Sequence, residues 1–469
     1  MSEKNIYDVA VLGGGPAGYT AAFRAADLGL KVCLINQYAS LGGTCLNVGC
    51  IPSKTLLHGA LIMEETEGIA KFGITYSKPE IDIDKMRDYK KLVISQLTDS
   101  LDQLCRARKI TTLVGKGEFK DRKTLIIRGA EGDEEVSFKK AIIATGSHPV
   151  KLPGIPEDDR IWDSTDALEL KSIPKRFLII GGGIIGLEMA QIYSALGSEI
   201  TIVEMLDHLI PPADKDLVQP LFLKLKKKYR IYTKTKVVAI ETQKSGMIAR
   251  FEGPKAPESD KFDVVLVAVG RRPNIEGFSR EKIGLELDER GFISVNEQLK
   301  TNVEGIYAIG DVVGNPMLAH KGTHEGKVAA EVIAGKKAAF QPLTIPSVAY
   351  TNPEIAWMGV TEKEAKDKNM EYELGKFRWG ASGRALSSDA STGTTKVLFD
   401  KETGRIIGAG ICGHNAGELI HEALLALEMG SDAEDISKTI HAHPTLAETF
   451  AFAAEIVDGS ITDILPSKK

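Results

Sequence analysis

The sequence predicts an α/β chain with two Rossmann-like units and an α+β domain after them. Three observations predict it. A strand, glycine loop, helix and strand occur in that order twice, 168 positions apart. Each occurrence is followed further on by another short apolar strand running into a glycine turn, at 139–146 and 263–270. From about Ile345 the glycine loops stop, and alternating strands and an amphipathic helix follow. At 469 residues the chain is too long for one ordinary domain, and three units fit its length.

The first unit opens on Tyr7-Asp8-Val9-Ala10-Val11-Leu12, an apolar run that predicts a strand. Gly13, Gly15 and Gly18 follow as G-x-G-x-x-G, then an Ala-rich helix pattern from Tyr19 to about Leu28, then a strand over 30–35. The glycines let backbone approach a pyrophosphate, and the helix N-terminus attracts its charge. An acidic residue is expected about twenty positions on, to bond a ribose. Asn36 stands there instead. Its side-chain oxygen accepts a neutral hydrogen bond, about 0.5–1.5 kcal/mol against about 1.5–3 for a charged one. A modest loss at this contact is expected, offset elsewhere.

Shifting the first unit by 168 places Gly13, Gly15 and Gly18 on Gly181, Gly183 and Gly186, and Asn36 on Glu204. Two such units in one chain are explained most simply by two cofactors, or a cofactor and a nucleotide substrate, exchanging electrons. The Glu204 carboxylate suits the ribose hydroxyls of NAD and repels a 2′-phosphate. Glu188 either favours the helix dipole or pairs with a buried lysine near a redox centre.

Leu41-Gly42-Gly43-Thr44-Cys45-Leu46-Asn47-Val48-Gly49-Cys50-Ile51-Pro52-Ser53-Lys54 holds two of the five cysteines. On a regular helix, residues five apart have Cα atoms roughly 9 Å apart. A disulfide needs about 7 Å or less. If Cys45 and Cys50 bond, the helix must break between them, with Gly49 and Asn47 supplying backbone freedom. Cys50 and Lys54 share a helical face, and a nearby cation lowers a thiol pKa. Two buried, unbonded thiols remain the alternative on spacing alone. Cys33, Cys105 and Cys412 read as core thiols.

Elsewhere, 83–109 predicts a long helix. Pro149, Pro153 and Pro156 mark one connection between units, and Arg271-Arg272-Pro273-Asn274 marks another. Gly310-Asp311 ends a strand, where the Asp caps a helix or bonds a polyol. Lys401-Glu402-Thr403-Gly404 predicts a hairpin within 394–413, and 418–429 an amphipathic helix. Near the end stands His441-Ala442-His443-Pro444-Thr445-Leu446-Ala447-Glu448, where a histidine with a carboxylate five residues on makes an oriented general base or two incidental surface histidines. No metal site is expected, since neither histidine has a cysteine at ligand spacing.

A net charge of −5 gives no overall basic field for nucleic acid. No run of eighteen apolar residues predicts a membrane span. The N-terminus runs straight into a strand pattern without a leader, so a cytoplasmic protein is expected, or an organellar one already processed. In a reducing compartment a bonded cysteine pair is catalytic more often than structural.

Together the two-cysteine stretch, the Ala144-Thr145-Gly146 turn, the second fingerprint, Gly310-Asp311 and His443-Pro444-Thr445 resemble the pyridine nucleotide–disulfide oxidoreductases over essentially the full chain. Glu204 points to an NAD-linked branch, unlike glutathione reductase. The tail lacks the terminal cysteine pair of mercuric reductase, and both active-site cysteines are present, unlike in soluble transhydrogenases. The resemblance implies oxidation of dihydrolipoyl groups carried on other proteins, with NAD⁺ as acceptor, through FAD and a Cys45–Cys50 disulfide. The alternative is an NADH-dependent reductase of another small disulfide. It implies an FAD domain over 1–148, completed by 271–344, an NAD domain over 149–270, and a dimerisation domain over 345–469. FAD would be held by the first fingerprint with Asn36, Thr44, Lys54, Gly117, Thr145, Gly146, Asp311, Met317, Leu318, Ala319 and His320. NAD would be held by the second with Glu188, Glu204, Val237 and Gly270. A homodimer is implied, in which His443, oriented by Glu448, serves the other subunit's disulfide. Cys45 would face substrate and Cys50 the flavin, beside a Lys54–Glu188 pair.

Overall fold

The computed structural model describes residues 6–465. The first five residues and the tail 466–469, on which the readings of a missing leader and a missing cysteine pair rested, lie outside that range. The first sheet contains β1 (Ile6–Leu12), β2 (Val32–Asn36), β3 (Thr111–Val114), β4 (Lys116–Asp121), β5 (Thr124–Gly129) and β6 (Gly132–Ile143). Its order is β3-β2-β1-β6-β5-β4, and Ile306–Ala308 adds to β6 in parallel. β1 is central, so Val9, Ala10 and Val11 are buried from both faces, which is why it reads as a continuous apolar run.

α1 (Pro16–Asp27) starts directly after the glycine loop. A Cβ on Gly18 would lie 1.8 Å from the Gly13 carbonyl oxygen, so only glycine lets α1 lie this close to β1. The helix Ala319–Ile333 packs against α1 just as closely, with Gly326 against the Ala17 carbonyl. That contact brings the start of the later helix to the first glycine loop.

Further along come β7 (Ser147–Pro149), β8 (Ile161–Trp162), β9 (Arg176–Ile180), β10 (Glu199–Val203), β11 (Arg230–Tyr232), β12 (Lys236–Gln243), β13 (Gly246–Glu252), β14 (Ser259–Phe262), β15 (Val264–Val267) and β16 (Arg271–Pro273). The second nucleotide-type sheet has the order β11-β10-β9-β15-β8, flanked by the β12-β13-β14 meander. The 168-residue repeat is exact for the helix: Pro16–Asp27 corresponds to Ile184–Ala195. Gly186 repeats the packing of Gly18, with an added Cβ 2.2 Å from the Gly181 carbonyl oxygen. The chain leaves the first unit through β7 and returns through β16, and these two crossings pair as an antiparallel ribbon.

The last domain is a five-stranded antiparallel sheet, built from Ser347–Ala349, Glu354–Gly359, Tyr372–Arg378, Thr394–Asp400 and Ile406–Gly413. The hairpin forms around Lys401–Gly404, and the amphipathic stretch is the helix Ala416–Met429. Where this domain meets the second unit, the buried Lys396 ammonium is 2.7 Å from Asp214, 2.9 Å from Asp216 and 2.7 Å from Glu362. A buried ammonium is tolerated when carboxylates surround it. Among the described residues, no helix is long and apolar enough to cross a membrane.

Candidate active site

The cysteine stretch folds as two helices, α2 (Gly43–Val48) and α3 (Cys50–Gly68), separated by Gly49 at φ −145°, ψ −105°. The break lies between Cys45 and Cys50, as a bond between them requires. Asn47 does not supply the flexibility expected of it. It is helical, and its amide donates to the Leu41 and Gly43 carbonyls at 3.0 Å each, tying down the loop before α2.

Cys45 is half-buried and Cys50 exposed, on the wall of one large cleft. The Cys45 thiol hydrogen-bonds to Cys50. That bond lowers the Cys50 pKa to about 7, with the Lys54 ammonium adding to it and desolvation of the sulfur against the cleft wall opposing it, although the residue as a whole is exposed. Cys45 is driven far up, first by the same bond and then by burial and the neighbouring thiolate. The first proton of the pair therefore leaves Cys50. In the reduced protein, the rate of alkylation at Cys50 is expected to rise through a midpoint near pH 7 and level off above it. A midpoint near the ordinary thiol value, followed by peptide mapping of the modified cysteine, would remove this asymmetry.

Lys54 lies one turn from Cys50 on α3. Its Nζ donates to both oxygens of Glu188, at 3.0 and 2.9 Å. Glu188 is buried on the helix Ile184–Ala195 and also accepts from the Tyr350 N–H at 3.2 Å. The Lys54 ammonium lies 4.5 Å from the Tyr350 ring centre. Groups from both glycine-loop units and the last domain thus meet beside the cysteines. Between the two expectations for Glu188, the pairing with a lysine is the one observed.

The cleft has a volume of about 2950 Å³. An ordinary small-ligand pocket is roughly 300–1,000 Å³, so this one has room for two dinucleotides. It is lined by Gly13, Gly15, Asn36, Thr44 and Gly117 from the first unit, by Thr145, Gly146, Asp311 and 317–320, and by Gly181, Gly183, Glu204, Val237 and Gly270 from the second. Gly18 and Gly186 do not line it; they serve helix packing, because they lie under the loops. Asn36 is buried. Its oxygen accepts from the Gly14 N–H at 3.2 Å, and its amide donates to the carbonyls of Tyr38 and Ser40 at 2.7 and 2.9 Å. Only one lone pair of its oxygen is left for a ribose hydroxyl. Glu204 repeats the first contact, accepting from Gly182 at 2.7 Å, and accepts from Leu206 at 2.8 Å. Each carboxylate oxygen keeps a free lone pair, so this carboxylate suits two hydroxyls.

His443 and Glu448 lie elsewhere. His443 Nδ1 is 2.8 Å from Glu448 Oε1, and Glu448 Oε2 accepts from the Thr445 N–H at 2.7 Å. A carboxylate only accepts, so Nδ1 carries the proton and Nε2 is the free base. The His443 side chain is 78% exposed and does not line the cleft of its own chain. His441 is half-buried as a residue, and its side chain is held against Glu422 at 2.6 Å. Cys33, Cys105 and Cys412 are buried, and burial raises their pKa values to about 12, 11 and 12. Ser147, Arg271 and Asn274 also line the cleft, and sequence reading gave them no part in a site. The Gly-Arg-Arg-Pro-Asn run following a strand was the available signal.

Residues 7–326 match the family model of the pyridine nucleotide-disulphide oxidoreductases, and residues 345–454 match the dimerisation domain of the same family. The dihydrolipoyl dehydrogenase of Vibrio cholerae is 56% identical over 471 aligned residues, covering 100% of this chain and 99% of the relative. That of Vibrio parahaemolyticus is 55% identical, with the same coverage. Among solved structures, the chain is similar to the copper(II) complex of the HOCl-induced flavoprotein disulfide reductase RclA from Escherichia coli. The TM-score is 0.86 at 27% identity, covering 97% of this chain and 100% of that one.

Proposed function

This chain belongs to the pyridine nucleotide-disulphide oxidoreductase family, and from that premise we propose that its cleft carries electrons from a dihydrolipoyl group on another protein to NAD⁺. It is a homodimeric disulfide oxidoreductase that uses FAD and NAD. The observation that carries the reading is Cys50, its pKa lowered to about 7, beside Cys45 on the wall of a cleft that both nucleotide-type loops also line. The residues fit both groups: two glycine cradles close to helix starts, a carboxylate at Glu204 for the NAD ribose, and acceptors at Asn36 and Asp311 for FAD hydroxyls. The bacterial source of the relatives supports a cytoplasmic setting.

In the proposed mechanism, His443 of the partner subunit takes a proton from one dihydrolipoyl thiol at Nε2. Only the thiolate attacks in disulfide exchange, so a base is needed near neutral pH. The thiolate attacks Cys45 Sγ of the oxidised pair, the Cys45–Cys50 bond breaks, and Cys50 leaves as a thiolate. Its low pKa makes it the better leaving group. The second substrate thiol then displaces Cys45, closing the lipoyl ring. Cys45 regains a proton and donates it in a hydrogen bond to Cys50. FAD, when bound, supplies the carrier that accepts an electron pair from a dithiol and delivers it as hydride to NAD⁺. Lys54 and Glu188 line the cleft beside Cys50 and hold a fixed ion pair there. The sum is dihydrolipoyl plus NAD⁺ giving lipoyl, NADH and one proton.

The test is NADH formation from dihydrolipoamide and NAD⁺, repeated with NADP⁺ and with other dithiols and disulfides. NADP⁺ should give a kcat/KM at least about tenfold lower, because a 2′-phosphate meets the Glu204 charge. No turnover of dihydrolipoamide alongside rapid turnover of another small disulfide would overturn the substrate assignment.

A further inference from the structure

The two crossings between the nucleotide-type units carry an unusual density of side-chain bonds. Arg271, at the start of β16, donates from Nε to the Ser147 hydroxyl at 2.7 Å and from Nη2 to the Ser147 carbonyl at 2.7 Å. Ser147 is buried, and its hydroxyl donates in turn to Asp311 Oδ2. Three residues on, Asn274 donates from Nδ2 to the Thr145 carbonyl at 2.9 Å, and the Thr145 hydroxyl donates to the Asn274 carbonyl at 2.7 Å. The Asn274 N–H donates to the Gly146 carbonyl at 2.9 Å, and Asn274 Oδ1 lies 2.7 Å from His148 Nδ1.

These bonds reach further than a ribbon of two three-residue strands needs. Backbone pairing between Arg271–Pro273 and Ser147–Pro149 already joins the crossings. The side chains go on to two cleft-lining elements of the first unit: the Asp311 carboxylate and the Thr145-Gly146 turn. The Ser147 hydroxyl is committed on both sides, accepting from Arg271 and donating to Asp311. It therefore fixes one Asp311 oxygen and leaves the other as an acceptor for a polyol hydroxyl. Gly270, one residue before Arg271, lines the same cleft beside the second glycine loop's residues Gly181 and Gly183. One short segment thus lines the cleft itself and reaches the Asp311 and Thr145-Gly146 elements of the first unit.

We propose that Arg271 and Asn274 are positioning residues for the flavin: Arg271 orients Asp311 through Ser147, and Asn274 holds the Thr145-Gly146 turn. The segment that returns from the second unit thereby sets the geometry of the first. The proposal rests on the reading that the first glycine loop holds FAD.

The test uses the flavin-loaded dimer and three variants. Ser147→Ala removes one hydroxyl and leaves the backbone ribbon and the Arg271 bond to the Ser147 carbonyl intact. It should weaken FAD binding about tenfold by flavin fluorescence, the loss of one hydrogen bond to a charged group. Its melting midpoint at saturating FAD should stay within about 4 °C of the wild type. Arg271→Met should weaken FAD at least as much and make the flavin midpoint potential more negative, because a half-buried cation has gone from the cleft. Arg271→Lys keeps the charge without the two-pronged geometry. It should restore the potential and leave FAD binding weak. Wild-type FAD affinity in Ser147→Ala would overturn the proposal even if Arg271→Met failed to fold. A purely structural role would lower the melting midpoint of all three variants and leave the potential alone. A wild-type protein that retains no FAD would sink the underlying reading instead.

Discussion

Cys45→Ser is expected to lose dihydrolipoamide oxidation by on the order of 10⁴-fold or more, since no disulfide remains to accept the substrate thiolate. The same variant should keep a reactive Cys50. The largest cause of the low Cys50 pKa is the hydrogen bond from Cys45. A serine hydroxyl still donates such a bond, and Lys54 is unchanged. Alkylation of Cys50 should therefore keep a midpoint near 7. Cys45→Ala removes the donor as well as the sulfur, and its midpoint should move up toward an ordinary thiol. The pair of variants separates the two jobs of Cys45, exchanging with substrate and holding Cys50 ionised. An unchanged midpoint in Cys45→Ala would show that Lys54 alone sets the thiolate and would remove Cys45 from that second job.

His443→Ala should slow dihydrolipoamide oxidation by about 10²–10⁴-fold, the usual contribution of a positioned base. Glu448 fixes Nδ1 and leaves Nε2 free, so the imidazole is already in the basic tautomer. Yet His443 lies outside the cleft of its own chain. If it serves the partner's Cys45, two inactive variants should complement each other. Mixing and reassociating equal amounts of Cys45→Ser and His443→Ala subunits makes half of the dimers hybrid. Each hybrid holds one site with both residues intact, so about a quarter of the wild-type rate should return. No recovery from demonstrated hybrids would mean that the base does not act across the dimer.

Some of this site was legible before any coordinates. The glycine loops were, because a loop that cradles phosphate needs glycine at fixed offsets along contiguous chain. The helix break was, because five-residue spacing on a regular helix is too long for a disulfide. Asn36 was legible as a substitution but not in its effect. Its amide is tied to Tyr38 and Ser40, so it holds the loop leading to the cysteines as well as lining the cleft. The partner of His441 was not legible, because nothing nearby in sequence announces Glu422. Gly18 and Gly186 belong to the fingerprints in sequence but to helix packing in space.

By itself, the sequence determined the two glycine-loop units, their 168-residue repeat, the carboxylate at Glu204 and a cysteine pair whose spacing requires a break in the helix if the two bond. These are properties of short contiguous backbone, whose geometry follows from residue type and spacing. Only the tertiary structure decided that Lys54 meets Glu188 from 134 residues away, and that Arg271 reaches Ser147 from 124. It also decided that His443 stands apart from its own Cys45. Contacts of that kind depend on how helices and sheets pack, and packing is set by the sum of many buried surfaces. No local pattern of residues encodes it.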